Sequence, residues 1–445
     1  MANFIQTFQN IFKIEELKNR ILFTVGILIV VRIGAHITLP GIDVNALAMS
    51  NAAESNTLFG MFDMFVGGAF SNAAIFALGI MPYITSSIVF QMAGVVIPTI
   101  QKIQKEGEEG RRKINQWTRM FTVVICLFNA WGVSIKLLNQ QAAGGIPVVP
   151  DGGTLFILST IFLLTAGTIF MMWLGEQITE RGIGNGISLI IMIGIIARFP
   201  DAIWQQIQFV AAGSMHWIIL MFSITLLVAI IAVVIMISQG TRRIPVQYAK
   251  RQIGKKTVGG VTQYLPLKVN SAGVMPIIFA QTLMFIPNTV LYFFPQSDFL
   301  VTASRLLQYD SWFYALVYFF MIVGFTYFYT AIIFNPRDMS DNMKKQGGFI
   351  PGVRPGQHTS DYIEYALTRI TLPGAIFLGI VAILPTFVTN IFGVDMHFAQ
   401  FFGGTSILIM VGVALDFLNQ VESHLLMRHY DGFMKSGRIR GRSGV

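Results

Sequence analysis

Nearly every positive charge in this chain falls on one side of a membrane that its own apolar segments require. Ten stretches are apolar and about the right length to cross a bilayer as helices of roughly 20 residues. They are Arg20–Thr38, Ala73–Pro98, Thr118–Leu138, Thr154–Gly175, Asn185–Ile203, His216–Ser238, Ser271–Phe294, Ser311–Phe334, Ile370–Thr389 and Phe402–Leu418. The connections between them alternate between basic and nearly neutral. Of 31 Lys and Arg residues, all but Arg32, Lys136, Arg198 and Arg305 lie in Met1–Arg20, Pro98–Arg119, Glu176–Gly184, Gln239–Asn270, Asn335–Arg369 and Asn419–Val445. By the positive-inside rule these segments, and both termini with them, are expected on the cytoplasmic side.

Composition agrees with that placement. The chain is 54% hydrophobic and only 12% charged, against about 25% charged in ordinary globular proteins. Its 445 residues are therefore expected to form one helical membrane domain rather than two or three soluble ones. The net charge of +9 sits in the basic connections. It serves topology alone, or it meets anionic lipid head groups, an acidic protein or RNA. Cys126 is the only cysteine, so no intrachain disulfide is possible. Met1–Arg20 lacks a long apolar core and a small-residue cleavage site, so no cleavable signal peptide is expected. Phe4, Ile5, Phe8, Ile11 and Phe12 recur there at helical spacing. That pattern suits a short helix lying in the cytoplasmic interface, the alternative being an unstructured start.

No linker divides the chain, and the span count suggests two halves, 1–203 and 204–427, followed by a basic tail, 428–445. Five is odd, so the second half enters the membrane from the face opposite to the first. This is the arithmetic of an inverted repeat, which builds a site at the midplane between halves. Thr57–Phe70, TLFGMFDMFVGGAF, is apolar but too short to span. It is either a re-entrant piece packed against protein or an amphipathic helix on the outer leaflet, and Gly67-Gly68 gives either version a hinge. Pro82, Pro276, Pro287 and Pro385 are placed inside spans, where each is expected to kink its helix. Thr85, Ser86, Ser87 and Gln91 follow the first of them, and Gln281 and Thr282 the second. Such side chains can join two helices through hydrogen bonds worth about 0.6–2 kcal/mol each.

Several chemistries are missing. There is no G-x-x-x-x-G-K-[ST] phosphate loop. Gly182, Gly184 and Gly186 follow a helix rather than a strand, so they read as a tight turn. The six histidines are scattered, which offers no metal site, and no nucleophile–base arrangement points to an enzyme or a cofactor. The middles of the spans hold almost no Asp, Glu, Lys or His, whereas ion-coupled transporters retain such groups at midplane. The interior offers branched aliphatic bulk instead. Ile80 and Ile84 lie four apart, as do Ile187 and Ile191. Such pairs are ordinary facing lipid, but inside a pore they would seal it by dewetting.

Seven segments carry a resemblance. FALGIMPYITSSIVFQ (Phe76–Gln91), KEGEEGRRKINQWTR (Lys105–Arg119), MWLGEQITERGIGNGISL (Met172–Leu189), RRIPVQYAKRQ (Arg242–Gln252), LPLKVNSAGVMPIIFA (Leu265–Ala280), IPGVRPG (Ile350–Gly356) and FGGTSILI (Phe402–Ile409) resemble the SecY/Sec61-alpha family, in that order. The resemblance implies an all-α polytopic membrane protein with ten transmembrane helices. These form two inverted pseudo-symmetric halves around a central pore, with a short re-entrant plug helix.

By the same resemblance a pore ring maps onto Ile80, Ile84, Ile187, Ile191, Ile278 and Ile409, with Ile407 the other candidate on the last helix. The plug maps onto Leu58, Phe59, Met61, Phe62, Met64, Phe65, Gly67 and Gly68. A lateral gate opening to lipid maps onto Thr85, Gln91, Gln281, Thr282 and Ile286. Docking of a ribosome (including its RNA) and of the SecA motor ATPase maps onto Arg242, Arg243, Lys250, Arg251, Lys255, Lys256 and Arg354. Lys255-Lys256 stands where some relatives carry an arginine pair, which keeps charge but loses bidentate phosphate geometry. Further implied are SecE and SecG companions, secretory and membrane-protein polypeptides as passengers, anionic lipids, and a bacterial plasma (inner) membrane location. Aliphatic walls suit such passengers, since an unfolded chain offers no common side-chain chemistry, and apolar segments would leave sideways into lipid.

Overall fold

The computed structural model describes residues 14–54, 63–142, 145–213, 216–248, 251–253, 256–258, 262–293, 302, 311–392, 396–401 and 404–436. In chain order the helices are α1 Glu15–Gly34, α2 Val44–Glu54, α3 Met81–Val96, α4 Pro98–Lys105, α5 Glu108–Asn139, α6 Thr154–Arg181, α7 Gly186–Ala211, α8 Trp217–Gln239, α9 Met275–Phe293, α10 Trp312–Ile333, α11 Pro336–Lys345, α12 Gln357–Phe392, α13 Met396–Ala399 and α14 Gly404–Ser436. Each of the ten expected spans overlaps one of α1, α3, α5, α6, α7, α8, α9, α10, α12 and α14. Among the described residues, α5, α6, α7, α8, α10, α12 and α14 are each long and apolar enough to cross a membrane. The pair α3 and α4, bent by 105°, makes an eighth candidate. The bend falls at Ile97, whose extended backbone (φ −99°, ψ 112°) is what a residue before proline adopts. The expected interfacial helix through Phe4, Ile5, Phe8, Ile11 and Phe12 lies outside the described residues.

Two expectations change. The second span does not begin as helix at Ala73. Residues 67–80 run through successive turns, with Ala73 at φ 42° and Gly79 at φ 55°, and pair with the chain after α1 through Leu39 N–H to Ala73 O (3.0 Å) and Ile75 N–H to Ile37 O (2.9 Å). Pro82 therefore sits in the first turn of α3, and Pro276 is the second residue of α9. There the missing N–H has no helical partner to lose, so neither proline kinks a span. The turn expected at Gly182–Gly186 is present. The Asn185 side chain accepts hydrogen bonds from Ile187 N–H (3.1 Å) and Ser188 N–H (3.3 Å), capping α7.

The other change is a small sheet in the basic connections. β1 Thr241–Tyr248 pairs antiparallel with β4 Thr262–Lys268, setting Arg242 opposite Leu267 and Arg243 opposite Pro266. β2 Arg251–Ile253 and β3 Lys256–Val258 form a second ladder between them, and β5 Gly348–Phe349 adds to the far edge of β1. Ile244 and Val246 alternate inward and pack with Leu267, Ile350, Ile363 and Leu367, so the hairpin is rooted on α12 by its own core.

The largest apolar cluster lies at the centre of the bundle and includes Phe65, Ile80, Ile84, Ile191, Ile278 and Ile409. The outside is apolar as well: Leu155, Phe162, Met120 and Val228 are all more than half exposed. Such a surface belongs in lipid rather than water.

Candidate functional site

Four helices bring isoleucine to one point. Ile80 and Ile84 at the start of α3, Ile191 of α7, Ile278 of α9 and Ile409 of α14 line a single cavity together with Phe65, Val66, Met81 and Gln281. Its volume is about 20 Å³, room for about one water. None of the five isoleucines is more than 8% exposed. Two ring expectations resolve differently. Ile187 is half-buried one turn away on α7, facing Gly175 of α6, and does not line this cavity. On α14, Ile409 lines it while Ile407 is buried elsewhere in the core.

The short segment before span two contributes Phe65 and Val66 to the cavity wall. Asp63–Val66 forms one helical turn, and Met64, Phe65 and Val66 are buried. Leu58, Phe59, Met61 and Phe62 of the expected plug lie outside the described residues. Gly67 (φ 67°) and Gly68 (φ 90°) then reverse the chain. Seating is backbone against backbone: a Cβ on Gly194 of α7 would lie 2.5 Å from the Phe65 carbonyl oxygen, and one on Gly67 would lie 2.8 Å from Gly194 Cα. Burying Met64, Phe65 and Val66 stabilises the seat by about 1.5–3 kcal/mol per side chain.

Polar contacts fasten it. The Asp63 carboxylate, 5% exposed, receives the Arg198 guanidinium of α7 and the Ser71 N–H (2.7 Å) and hydroxyl. Arg32 of α1 donates from Nη1 to the Gly67 carbonyl oxygen at 2.8 Å. The Ser406 hydroxyl of α14 points to the Met64 sulfur at 3.5 Å. The segment thus touches helices from both ends of the chain. Sequence reasoning missed these guanidinium groups, although a signal was present: Arg32 and Arg198 are two of the four basic residues that break the inside bias.

Along the seam where α3 meets α9, the expected polar residues are satisfied within their own helices. Thr85 donates to Met81 O (3.0 Å), Gln91 to Ser87 Oγ (3.0 Å) and Thr282 to Ile278 O (2.8 Å). Gln281 lines the central cavity, and the Ile286 side chain lies outside what is described. The cross-helix bond in this region is Ser86 Oγ to Thr118 O (2.7 Å), which ties α3 to α5 rather than to α9.

At the small sheet, Arg242 and Arg243 of β1 are exposed, as is Arg354 in the loop between β5 and α12. Because β5 pairs with β1, both basic connections belong to one platform. Arg251 and Lys256 are placed by backbone in β2 and β3; Lys250 and Lys255 lie outside the described residues.

Comparison with known proteins gives three findings. A family model described as SecY matches residues 74–418. The protein translocase subunit SecY of Escherichia coli (strain K12) is 44% identical over 429 residues, covering 96% of each chain. Among solved structures, one described as showing that the plug domain of SecY stabilises the closed state and maintains a membrane seal aligns with a TM-score of 0.62 at 17% identity, covering 92% of both chains. Sec61 in the canine ribosome-channel complex aligns with a TM-score of 0.56 at 16% identity over the same share.

Proposed function

Because this chain belongs to the SecY family, we propose that it passes unfolded secretory polypeptides across the plasma membrane and releases apolar segments sideways into lipid. It is the channel subunit of a protein translocase, and a multi-pass membrane protein. The observation that carries the reading is the closure of five isoleucines from four helices beneath a seated plug. A ring of aliphatic side chains yields to any passenger sequence, adheres to none, and dewets when empty. The halves 1–203 and 204–427 would part around it, opening the seam between α3 and α9 toward lipid.

Energy comes from outside the chain: a motor ATPase of the SecA kind, or a translating ribosome, docks on the platform carrying Arg242, Arg243 and Arg354, with Lys250, Arg251, Lys255 and Lys256 at the hairpin end. SecE and SecG complete the assembly, anionic lipids meet the basic connections, and both termini face the cytoplasm of a bacterial cell. None of these roles calls for a catalytic group, cofactor or metal. The test is photocrosslinking from position 191 with a secretory chain arrested halfway. An adduct at 191, and none at lipid-exposed Val228 of α8, is the expected result. A docked and partly translocated chain that leaves 191 unlabelled would overturn the ring assignment.

A further inference from the structure

We propose that Asp63 and Arg198 form an electrostatic latch that sets how readily the plug leaves, and hence how weak a signal segment the channel accepts. The inference rests on the channel reading above and adds to it the residues that regulate opening. Asp63 is the only carboxylate the described plug carries, and it is 5% exposed. Its oxygens take Ser71 from the plug's own loop and Arg198 from α7. Ser71 lies beyond the Gly67-Gly68 hinge, on the loop whose backbone is tied to the chain after α1, so its contacts help to hold the seated plug. The Arg198 contact is the one that ties the plug to α7.

Two further features make this pair a regulator rather than a mere tie. First, Arg32 and Arg198 both reach the same small segment, Arg32 at the Gly67 carbonyl oxygen and Arg198 at the Asp63 carboxylate. Neutralising Asp63 therefore leaves two cations converging on the described plug with no carboxylate of its own to meet them. Second, Ile191, Gly194, Ile195 and Arg198 fall at i, i+3, i+4 and i+7, which is one face of α7. That face therefore presents, in order, a ring isoleucine, the glycine on which the plug sits, and the latch. A passenger that displaces α7 at Ile191 moves Arg198 with it. Widening of the ring and release of the plug become one event.

The experiment uses the full chain with its companion subunits, reconstituted in vesicles that hold a halide-quenched dye. D63N, R198Q, R198K and the double variant D63N/R198Q are compared for halide entry at rest and for translocation of a passenger with a shortened apolar signal segment. D63N is expected to leak about 10-fold or more faster than wild type and to accept the weakened passenger. R198Q is expected to leak less than D63N, and R198K to stay near wild type. The double variant is expected to leak no more than D63N, because each change removes the same interaction.

Single-variant effects that simply multiply in the double would overturn the latch, as would D63N and R198Q vesicles as tight as wild type. A wild-type channel jammed with an arrested passenger separates the two levels. If it leaks while the resting variants stay tight, the latch alone fails. If no passenger crosses the wild-type channel even with an intact signal segment, the channel reading fails and the latch with it.

Discussion

Arg32, in the last turn of α1, donates a hydrogen bond to the main-chain oxygen of Gly67 at 2.8 Å, so a side chain from the first span grips the proposed plug by its backbone. A charge-assisted bond of this kind is worth about 1.5–3 kcal/mol. Replacing Arg32 by Gln should therefore raise the fraction of time the plug is unseated by roughly 10-fold or more. Labelling of a cysteine placed at Val66 with a membrane-impermeant maleimide reads this directly, because the native Cys126 is fully buried. An unchanged labelling rate would mean the guanidinium does not hold the plug.

Gly194 tests the seat directly. Alanine favours a helix interior over glycine by about 1 kcal/mol, yet its Cβ would stand 2.5 Å from the Phe65 carbonyl oxygen. G194A is expected to leak ions at rest and to melt below wild type, because the lost burial of Met64, Phe65 and Val66 outweighs the helix gain. Thermal unfolding and vesicle leak, measured on one preparation, decide it; a tight G194A would show that the plug seats elsewhere.

Much of this was legible from the chain, and the reasons differ by residue. Hydropathy located the spans because lipid imposes a length. Ile80, Ile84, Ile191, Ile278 and Ile409 were reachable through family motifs, and their spacing on α3 and α7 fits one face. Ile187 has the same spacing but lies a turn below the constriction, since a helix face is longer than a ring is thick. The non-helical run through Ala73 and Gly79 was invisible, because apolar turns packed on protein look like apolar helix. The hairpin was hidden by Pro245 and by the shortness of the alternation at Ile244 and Val246. The Asp63–Arg198 pair joins residues 135 positions apart, and no local pattern encodes such a meeting.

The two isoleucines of α14 should separate cleanly. Ile409 faces the cavity and is 1% exposed, so I409N is expected to introduce a polar edge and a resting leak at some cost in stability. Ile407 is 2% exposed in the packed core, so I407A should cost about 2–5 kcal/mol of stability while the channel stays sealed. Reversal of the two outcomes would move the ring to Ile407.

Charge reversal on the platform tests docking. R242E/R243E is expected to weaken co-sedimentation with ribosomes or the motor about 10-fold at low salt. The difference should shrink as salt rises, since exposed charges are screened over roughly 8 Å at physiological ionic strength. I244D serves as the contrast: it buries a charge in the core of the hairpin and should abolish docking at every salt concentration. A double reversal that binds like wild type would place the docking charge elsewhere on the cytoplasmic face.

The hydrogen bonds of Thr85, Gln91 and Thr282 close within their own helices, and this has a consequence for the bilayer. Parting α3 from α9 strands none of these donors in hydrocarbon. What must be replaced is side-chain packing, and acyl chains can replace it. The threshold for sideways release is therefore tuned less by pH or ionic strength than by the lipids themselves. Membrane thickness and lateral pressure become control parameters of the gate, and a cell that remodels its lipids on cooling retunes the exit for every membrane protein it inserts.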